Sequence, residues 1–267
     1  MMTELVMKDI HKIFGQKTVN ENHVLKGIDL TIHQGDFITV IGGNGAGKST
    51  LLNTIAGTLM VEQGTLTLNG KDITSKPAYK RAKYISRVFQ DALKGTASHL
   101  TIEKNLAIAD RRGKSRGLST AIKSDRRKLY KQELSKLNLG LENRLKTDMG
   151  LLSGGQRQAI TLLMATMQLP EILLLDEHTA ALDPSTREMV MSLTDQLIKE
   201  KHLTALMVTH DMQQAIDYGN RLIMMFDGQI VIDIQGEEKK NLTVPKLLDL
   251  FKEKSGEMVK DDALMLA

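Results

Sequence analysis

The stretch Phe37-Ile38-Thr39-Val40-Ile41-Gly42-Gly43-Asn44-Gly45-Ala46-Gly47-Lys48-Ser49-Thr50 places an apolar strand directly before a glycine-rich loop. The following residues, Ser49 to Gly57, have helical character and end at a glycine. A strand, a Gly-x4-Gly-Lys-Ser loop and a helix form the context of a loop that cradles phosphate groups. A turn that only links a strand to a helix is the alternative, and the correctly placed strand and helix disfavour it.

The loop residues have separate predicted roles. We expect the backbone amides to turn toward the β- and γ-phosphates of a nucleotide, where larger side chains would clash. Lys48 adds a cation beside the β/γ oxygens, the Ser49 hydroxyl coordinates Mg²⁺, and Thr50 lies near the α-phosphate. The predicted phosphate-binding residues are Gly42, Asn44, Gly45, Ala46, Gly47, Lys48, Ser49 and Thr50.

A second apolar strand, Ile172 to Leu175, ends in two carboxylates, Asp176 and Glu177. A buried strand would deliver Asp176 to the edge of a sheet near the metal, where it holds Mg²⁺ through water. Glu177 would then orient and deprotonate the water that attacks the γ-phosphate. A surface acidic pair is the alternative, and the phosphate loop disfavours it by supplying a partner for both groups.

Composition narrows the class of protein. The 267 residues suit one large domain or one core with an inserted subdomain. No apolar run approaches the ~20 residues that span a bilayer. The start, Met1-Met2-Thr3-Glu4, lacks the basic and apolar regions of a signal peptide, so we expect a cytoplasmic protein. The absence of cysteine excludes disulfides and thiolate metal sites, and the mild net charge of +4 does not argue for nucleic acid.

Hydrophobic periodicity predicts an α/β core with an antiparallel β region at the start. The predicted strands are Leu5 to Met7, Val24 to Ile32, Phe37 to Ile41, Gly64 to Asn69, Tyr84 to Phe89, Ile172 to Leu175, Leu203 to Val208, Leu222 to Phe226 and Gln229 to Ile234. Residues from Asp91 to about Gly150 are helical and polar, which predicts an inserted helical subdomain. We assign residues 1–240 to the catalytic domain and 241–267 to a C-terminal helix and tail.

Further motifs lie in a fixed order around these elements: Gln90 after a strand, Leu152-Ser153-Gly154-Gly155-Gln156 at a helix start, Ala181-Leu182-Asp183, and His210 after a strand. With the phosphate loop and Asp176-Glu177, this order resembles the ATP-binding subunit of ABC transporters. The resemblance covers about Leu5 to Ile234. It implies a P-loop NTPase core of the ABC ATPase type, with an antiparallel β subdomain and an inserted α-helical subdomain.

The resemblance also implies roles for these motifs with ATP and Mg²⁺ as cofactors. Two copies of the chain would close face to face, so that Ser153, Gly154, Gly155 and Gln156 of one protomer hold the γ-phosphate bound by the other. Gln90 would contact Mg²⁺ and the attacking water, and His210 the γ-phosphate. Glu177, His210 and Gln90 are thus the predicted catalytic residues, and Ser49, Gln90 and Asp176 the predicted metal ligands.

Two positions are less specific. The family places an aromatic ring against adenine shortly after the first strand, where this chain has Phe14, with Val24 as padding; ordinary packing of Phe14 is the alternative. The family's usual proline after Asp-Glu is replaced by His178. Asp-Glu-His-Thr-Ala-Ala-Leu-Asp-Pro resembles a branch of bacterial importers for amino-acid-like solutes, and we favour a turn role for His178 over contact with nucleotide.

The implied function is ATP hydrolysis coupled to transport, most simply import. The expected partners are membrane permease subunits, a second copy of the chain and an extracytoplasmic solute-binding protein, with no nucleic acid. The expected location is peripheral, on the cytoplasmic face of the membrane. The rival is a soluble ABC ATPase acting in cytosolic assembly or on the ribosome or DNA; tandem cassettes and long coiled coils, typical of ribosome and DNA types, are absent from the sequence.

The segment Arg111 to Lys131 is strongly basic. It contains one acidic residue, Asp125, and nine cationic residues: Arg111, Arg112, Lys114, Arg116, Lys123, Arg126, Arg127, Lys128 and Lys131. A solvated helical face is the simpler interpretation. Contact with anionic lipid headgroups or an acidic permease loop is the alternative.

Overall fold

A computed structural model describes residues 4–114 and 122–255 of the chain. The strands within these ranges are β1 (Glu4–Phe14), β2 (Asn22–His33), β3 (Phe37–Ile41), β4 (Gln63–Leu68), β5 (Lys71–Asp72), β6 (Ile85–Val88), β7 (Ile172–Asp176), β8 (Ala205–Val208), β9 (Arg221–Phe226) and β10 (Gln229–Gln235). The α-helices are α1 (Lys48–Ala56), α2 (Ala78–Arg81), α3 (Ile102–Asp110), α4 (Ser124–Ser135), α5 (Gly154–Thr166), α6 (Pro184–Glu200), α7 (Met212–Asp217), α8 (Gly236–Lys240) and α9 (Val244–Ser255). Short 3₁₀ turns occupy Leu141–Asn143 and Met149–Leu151.

The described chain divides into two compact units. Unit 1 combines the residues up to Arg81 with those from His202 onward, and unit 2 comprises Ala82–Lys201. Unit 1 contains the antiparallel sheet, the phosphate-loop strand and the C-terminal elements. Unit 2 contains the polar helical region together with β6, β7, α5 and α6.

The antiparallel sheet of unit 1 has the strand order β2-β1-β4-β5. Strand β1 runs on to Phe14, well beyond the predicted Met7. The register with β2 shifts between Met7 and Ile10, where Asp9 has a positive φ of 50°. This bulge places Met7 and Ile10, three residues apart, on the same buried face. It therefore hides the two-residue alternation that would have predicted the rest of the strand.

The second group of strands in unit 1 surrounds β3. Strand β3 pairs in parallel with both β8 and β9, and β9 forms an antiparallel hairpin with β10 through Asp227 and Gly228. All five residues of β3 are buried, as expected for a parallel strand covered on both faces. The carboxyl end of β3 is therefore fixed firmly where the phosphate loop begins.

The end of the described chain belongs to the core of unit 1. Helix α9 buries Leu247 and Phe251 completely in an apolar cluster with Leu222, Ile232 and other β9 and β10 residues. The Phe251 and Phe226 rings meet edge to face with centroids 5.6 Å apart. The helix lies where the sequence predicted one, and its apolar face completes the core of the unit.

Unit 2 pairs β6 with β7 in parallel and packs α3, α4, α5 and α6 around one another. Two helices of the predicted polar region are present as α3 and α4, and α4 ends at Ser135. Among the described helices, none combines the length and apolarity needed to cross a membrane.

Candidate functional site: a nucleotide-binding site in two sets of residues

Strand β3 delivers the phosphate loop at the sheet edge of unit 1. Gly42 has a φ of 151°, and a β-carbon there would lie 2.3 Å from the Met225 carbonyl oxygen. Gly47 has a φ of 99°, and its β-carbon would lie 3.1 Å from the Val24 carbonyl oxygen. Only glycine fits these two positions without displacing backbone. Packing against neighbouring atoms therefore requires glycine at these two positions, independently of any ligand.

Lys48 and Ser49 open helix α1 immediately after the loop. The Lys48 ammonium donates to the carbonyl oxygens of Gly42 at 2.6 Å and Gly43 at 3.0 Å. These contacts hold the side chain over the loop, and its phosphate-binding role stays a prediction. Ser49 is exposed and Thr50 half-buried, while Asn44 and Gly45 lie exposed at the tip of the loop.

His210 reaches the same sheet edge as the phosphate loop. Strand β8 pairs in parallel with β3, with Val40 opposite Val208. The Thr209 amide donates to the Val40 carbonyl oxygen at 3.1 Å, and Asp211 then caps helix α7. His210, exposed between these anchors, is held at the carboxyl end of the two strands. Unit 1 therefore brings His210 and the phosphate loop, both predicted from the sequence, to the same edge of the sheet.

Phe14 lies at the end of β1 with 39% of its surface exposed. The Lys12 ammonium is 5.2 Å from the ring centroid and also pairs with Glu62 at 2.6 Å. An exposed ring beside a cation fits a stacking surface for a base better than it fits ordinary core packing. Val24, whose carbonyl lies close to Gly47, borders the phosphate loop.

Unit 2 brings Gln90, Asp176 and Glu177 to one edge. Strands β6 and β7 are parallel with Val88 opposite Leu175, so Gln90 and the acidic pair follow the same ends of adjacent strands. Glu177 adopts the left-handed backbone region with φ 44°, which is uncommon for a side chain of this kind. Such strained positions concentrate at functional sites.

Arg87, which the sequence did not indicate, contacts Asp176. Its Nη2 donates to Asp176 Oδ2 at 2.5 Å, and its guanidinium carbon lies 4.8 Å from the Phe89 ring centroid. The contact joins residues 89 positions apart in the sequence. Only the parallel register of β6 and β7 reveals it.

The Ser153 region is a capped helix start. Ser153 Oγ accepts from the Gln156 amide, and Gln156 Oε1 accepts from the Ser153 amide, both at 3.3 Å. This capping box begins the 13-residue helix α5. Ser153 and Gly154 are exposed, whereas a β-carbon at Gly155 would lie 2.2 Å from Thr186 Cγ2. Gly155 therefore also permits the close approach of α5 to α6.

His178 lies inside unit 2. Its side chain is buried, and Nε2 lies 3.0 Å from Thr194 Oγ1 on α6. Because the Thr194 hydroxyl donates to the Val190 carbonyl oxygen at 2.7 Å, we infer that His178 is the donor of the pair. Burial lowers the pKa of His178 to about 4, so the ring is neutral near pH 7. The residue fastens the end of β7 to α6.

Several members of the basic segment are structural. Arg112 donates to the carbonyl oxygens of Ala165 and Gln168, and burial lowers its pKa. Arg127 pairs with Glu103 at 2.7 Å, while Lys114 and Arg126 pair with Asp110 at 3.3 Å. Helix α3 thus supplies carboxylates that the segment itself lacks; Arg116 lies outside the described residues.

Among the described residues, no group of three His, Cys, Asp or Glu side chains is placed to hold a metal ion. The hydroxyl of Ser49, the amide of Gln90 and the carboxylate of Asp176 are the oxygen donors that the sequence predicts as metal ligands. Such donors suit Mg²⁺, which keeps several waters and takes other ligands from the phosphates of its nucleotide. The chemistry of the predicted ligands therefore fits Mg²⁺ bound together with ATP.

Comparisons with known proteins extend over nearly the whole chain. A family model described as ABC transporter matches residues 25–180. The tyrosine transport ATP-binding protein of Clostridioides difficile (strain R20291) is 41% identical over 92% of this chain and 98% of that protein. The thiamine import ATP-binding protein ThiQ of Escherichia coli (strain K12) is 34% identical over 78% of this chain and 85% of that protein.

A solved dimeric structure of the ATP-binding cassette MJ0796 in a post-hydrolysis state, bound to ADP and Pi, is also similar. It is 29% identical with a TM-score of 0.73, covering 86% of this chain and 98% of that chain. The predicted fold class, a P-loop core of the ABC ATPase type, is confirmed by this likeness. By motif, fold and overall similarity, the chain belongs to the ABC transporter family as its ATP-binding, ATP-hydrolysing subunit.

Proposed function

We propose that two copies of this chain bind and hydrolyse Mg-ATP and so drive import of a solute through a separate membrane permease. The observation that carries the proposal is that one chain contains both an intact phosphate loop around Lys48 and an exposed helix start at Ser153. The first feature binds a nucleotide, and the second offers an anion site to a nucleotide on another copy.

Each predicted residue has a chemical task in hydrolysis. The Lys48 ammonium and the loop amides hold the β- and γ-phosphates, exchanging the present contact with carbonyl oxygens for phosphate oxygens. Glu177 accepts a proton from a water, which attacks the γ-phosphorus as the bond to the bridging oxygen breaks. Gln90 orients this water, and His210 donates to the γ-phosphate.

Mg²⁺ would be held by Ser49, Gln90 and Asp176 and would neutralise charge that develops on the phosphate oxygens. Phe14 would stack on the adenine. These assignments rest on residue chemistry and the family resemblance. Glu177→Gln tests the central one: it should bind ATP yet barely hydrolyse it.

Dimerisation is proposed because the phosphate loop of one copy and the Ser153 helix start of another would bind the same nucleotide. The Ser153 capping box satisfies the Gln156 amide, whereas the other amides of a helix's first turn have no acceptor within the helix, and Ser153 and Gly154 are exposed there. These amides suit a γ-phosphate bound by a second copy. The dimeric state of the MJ0796 cassette, with ADP and Pi, supports the same arrangement here.

The solute is proposed to be amino-acid-like. The relative that is 41% identical is named a tyrosine transport ATP-binding protein, and other similar proteins are named for thiamine import. The Asp-Glu-His motif, which resembles that of importers for amino-acid-like solutes, supports the same solute class. In this arrangement a permease and an extracytoplasmic solute-binding protein complete the system, and the chain is peripheral to the cytoplasmic face of the membrane.

A soluble ATPase acting on ribosomes, DNA or a cytosolic assembly is the competing function. The experiment that separates the two is affinity purification of tagged Glu177→Gln chain, with ATP present, from solubilised membranes of its native cell. A polytopic membrane protein in the eluate supports transport, and transport of tyrosine-like solutes by that complex supports the solute class. Ribosomal, DNA or soluble scaffold partners without a permease would overturn it.

A further inference from the structure

Arg87 and Asp176 form an ion pair in unit 2 to which the proposed function gives no role. Arg87 lies on β6 opposite Leu174 of β7, and Asp176 ends β7. Their closest atoms are 2.5 Å apart, and the two side chains are 12% and 16% exposed. A pair so shielded from water interacts more strongly than a pair on the surface.

The guanidinium is restrained from a second direction. Its carbon lies 4.8 Å from the Phe89 ring centroid, within the range of a cation–π contact. Phe89 immediately precedes Gln90, so the same short segment carries the cation, the ring and a predicted Mg²⁺ contact. Arg87 is therefore held beside Asp176 by its strand, its ring partner and its charge.

The guanidinium of Arg87 and the proposed Mg²⁺ would therefore both interact with the carboxylate of Asp176. The guanidinium is a cation, and the proposed function gives Asp176 to Mg²⁺. A carboxylate has two oxygens with about four acceptor positions, so both cations can be accommodated geometrically. Their mutual repulsion nevertheless lowers the affinity for the metal.

We propose that Arg87 competes electrostatically with Mg²⁺ at Asp176 and so raises the Mg²⁺ concentration at which the nucleotide site fills. This inference rests on the proposed function, because it takes Asp176 as a metal ligand. Without metal, Arg87 supplies the counter-charge that a largely buried carboxylate needs. With metal, the same charge weakens the metal's hold on Asp176.

The test titrates Mg²⁺ against a fluorescent ATP analogue, mant-ATP, bound to Glu177→Gln chain so that turnover does not interfere. Adding Arg87→Met removes the charge at similar side-chain length and should lower the half-saturating Mg²⁺ concentration about three- to tenfold. Arg87→Lys keeps the charge and should stay close to the parent. Arg87→Gln, with a neutral donor, should shift in the same direction as Arg87→Met.

An unchanged or higher Mg²⁺ requirement in both neutral variants, with circular dichroism showing a folded chain, would overturn the inference. The proposed function is tested separately in the same titration by Asp176→Asn. Loss of the Mg²⁺ dependence supports Asp176 as a metal ligand. Retention of the parent's dependence would remove Asp176 from the metal site and contradict the proposed function at that residue.

Discussion

His178 follows the two acidic residues at the end of β7, where related chains usually carry proline. The structure turns its ring inward to Thr194 of α6 and excludes water from it. The sequence left open whether this histidine meets nucleotide or replaces proline in a turn. Its burial favours the second role, with a hydrogen bond in place of the rigid ring of proline.

The depressed pKa of His178 predicts a pH-dependent stability. Above pH ~6.5 the residue is neutral in both folded and unfolded chains, so it has no effect there. As pH falls from 6.5 toward 4, the unfolded chain takes up a proton that the folded chain resists, and stability falls. The expected loss is about 2 kcal/mol at pH 5.

Urea unfolding of the parent chain and of His178→Gln at pH 7.5 and pH 5 measures this effect. Glutamine keeps a donor for Thr194 but does not titrate in this range, so the variant should lose less stability between the two pH values. Equal losses in both chains would show that His178 does not carry the effect.

Among the secondary-structure elements, α1 depends on a residue far from its own sequence. Arg81 is buried and donates to the carbonyl oxygens of Thr54 and Ile55 at the end of α1, at 2.7 and 2.9 Å. It also donates to the carbonyl oxygens of Lys76 and Thr74. Burial lowers its pKa to about 10, which leaves it charged at neutral pH. Arg81 thus closes the C-terminus of the helix that begins with Lys48.

Arg81→Met should therefore destabilise the chain by about 3 kcal/mol, since several buried carbonyl oxygens lose a charged donor. Chemical denaturation measures the change. Lys80→Met, at the exposed neighbouring position, is the matched control and should change stability by less than about 0.5 kcal/mol. Similar small changes in both variants would contradict the capping role of Arg81.

The elements that the sequence predicted well are those whose signals are contiguous. The strand, loop and helix around Lys48 are written in consecutive residues, as is the capped start of α5. Strand β1 was predicted too short because the bulge at Asp9 breaks its alternation. The roles of Arg81 and Arg87 could not be assigned, because their partners on α1 and β7 are remote in sequence and are brought close only by the fold.

Both ends of the described chain belong to unit 1. The C-terminal helix α9 contributes Phe251, which is fully buried in the cluster around β9 and β10. The predicted division at residue 240 remains a prediction. The packing of α9 nevertheless indicates that residues 244–255, which follow that division, contribute to the stability of unit 1.

Phe251→Ala should lower stability by about 3–5 kcal/mol, because it removes a large buried ring and leaves a cavity. Lys252→Ala, at an exposed position of the same helix, should have little effect. Thermal melting of the two variants compares them directly. A melting temperature of Phe251→Ala equal to that of the control would mean that α9 does not support the core.

We propose that two copies of the chain close around ATP, with the Lys48 loop of one facing the Ser153 helix start of the other. The most direct measurement is sedimentation velocity of Glu177→Gln with and without Mg-ATP. We expect a monomer without nucleotide and a stable dimer with it, and loss of that dimer when Ser153→Arg is added. A Glu177→Gln chain that binds Mg-ATP but remains monomeric would show that two copies do not close around the nucleotide.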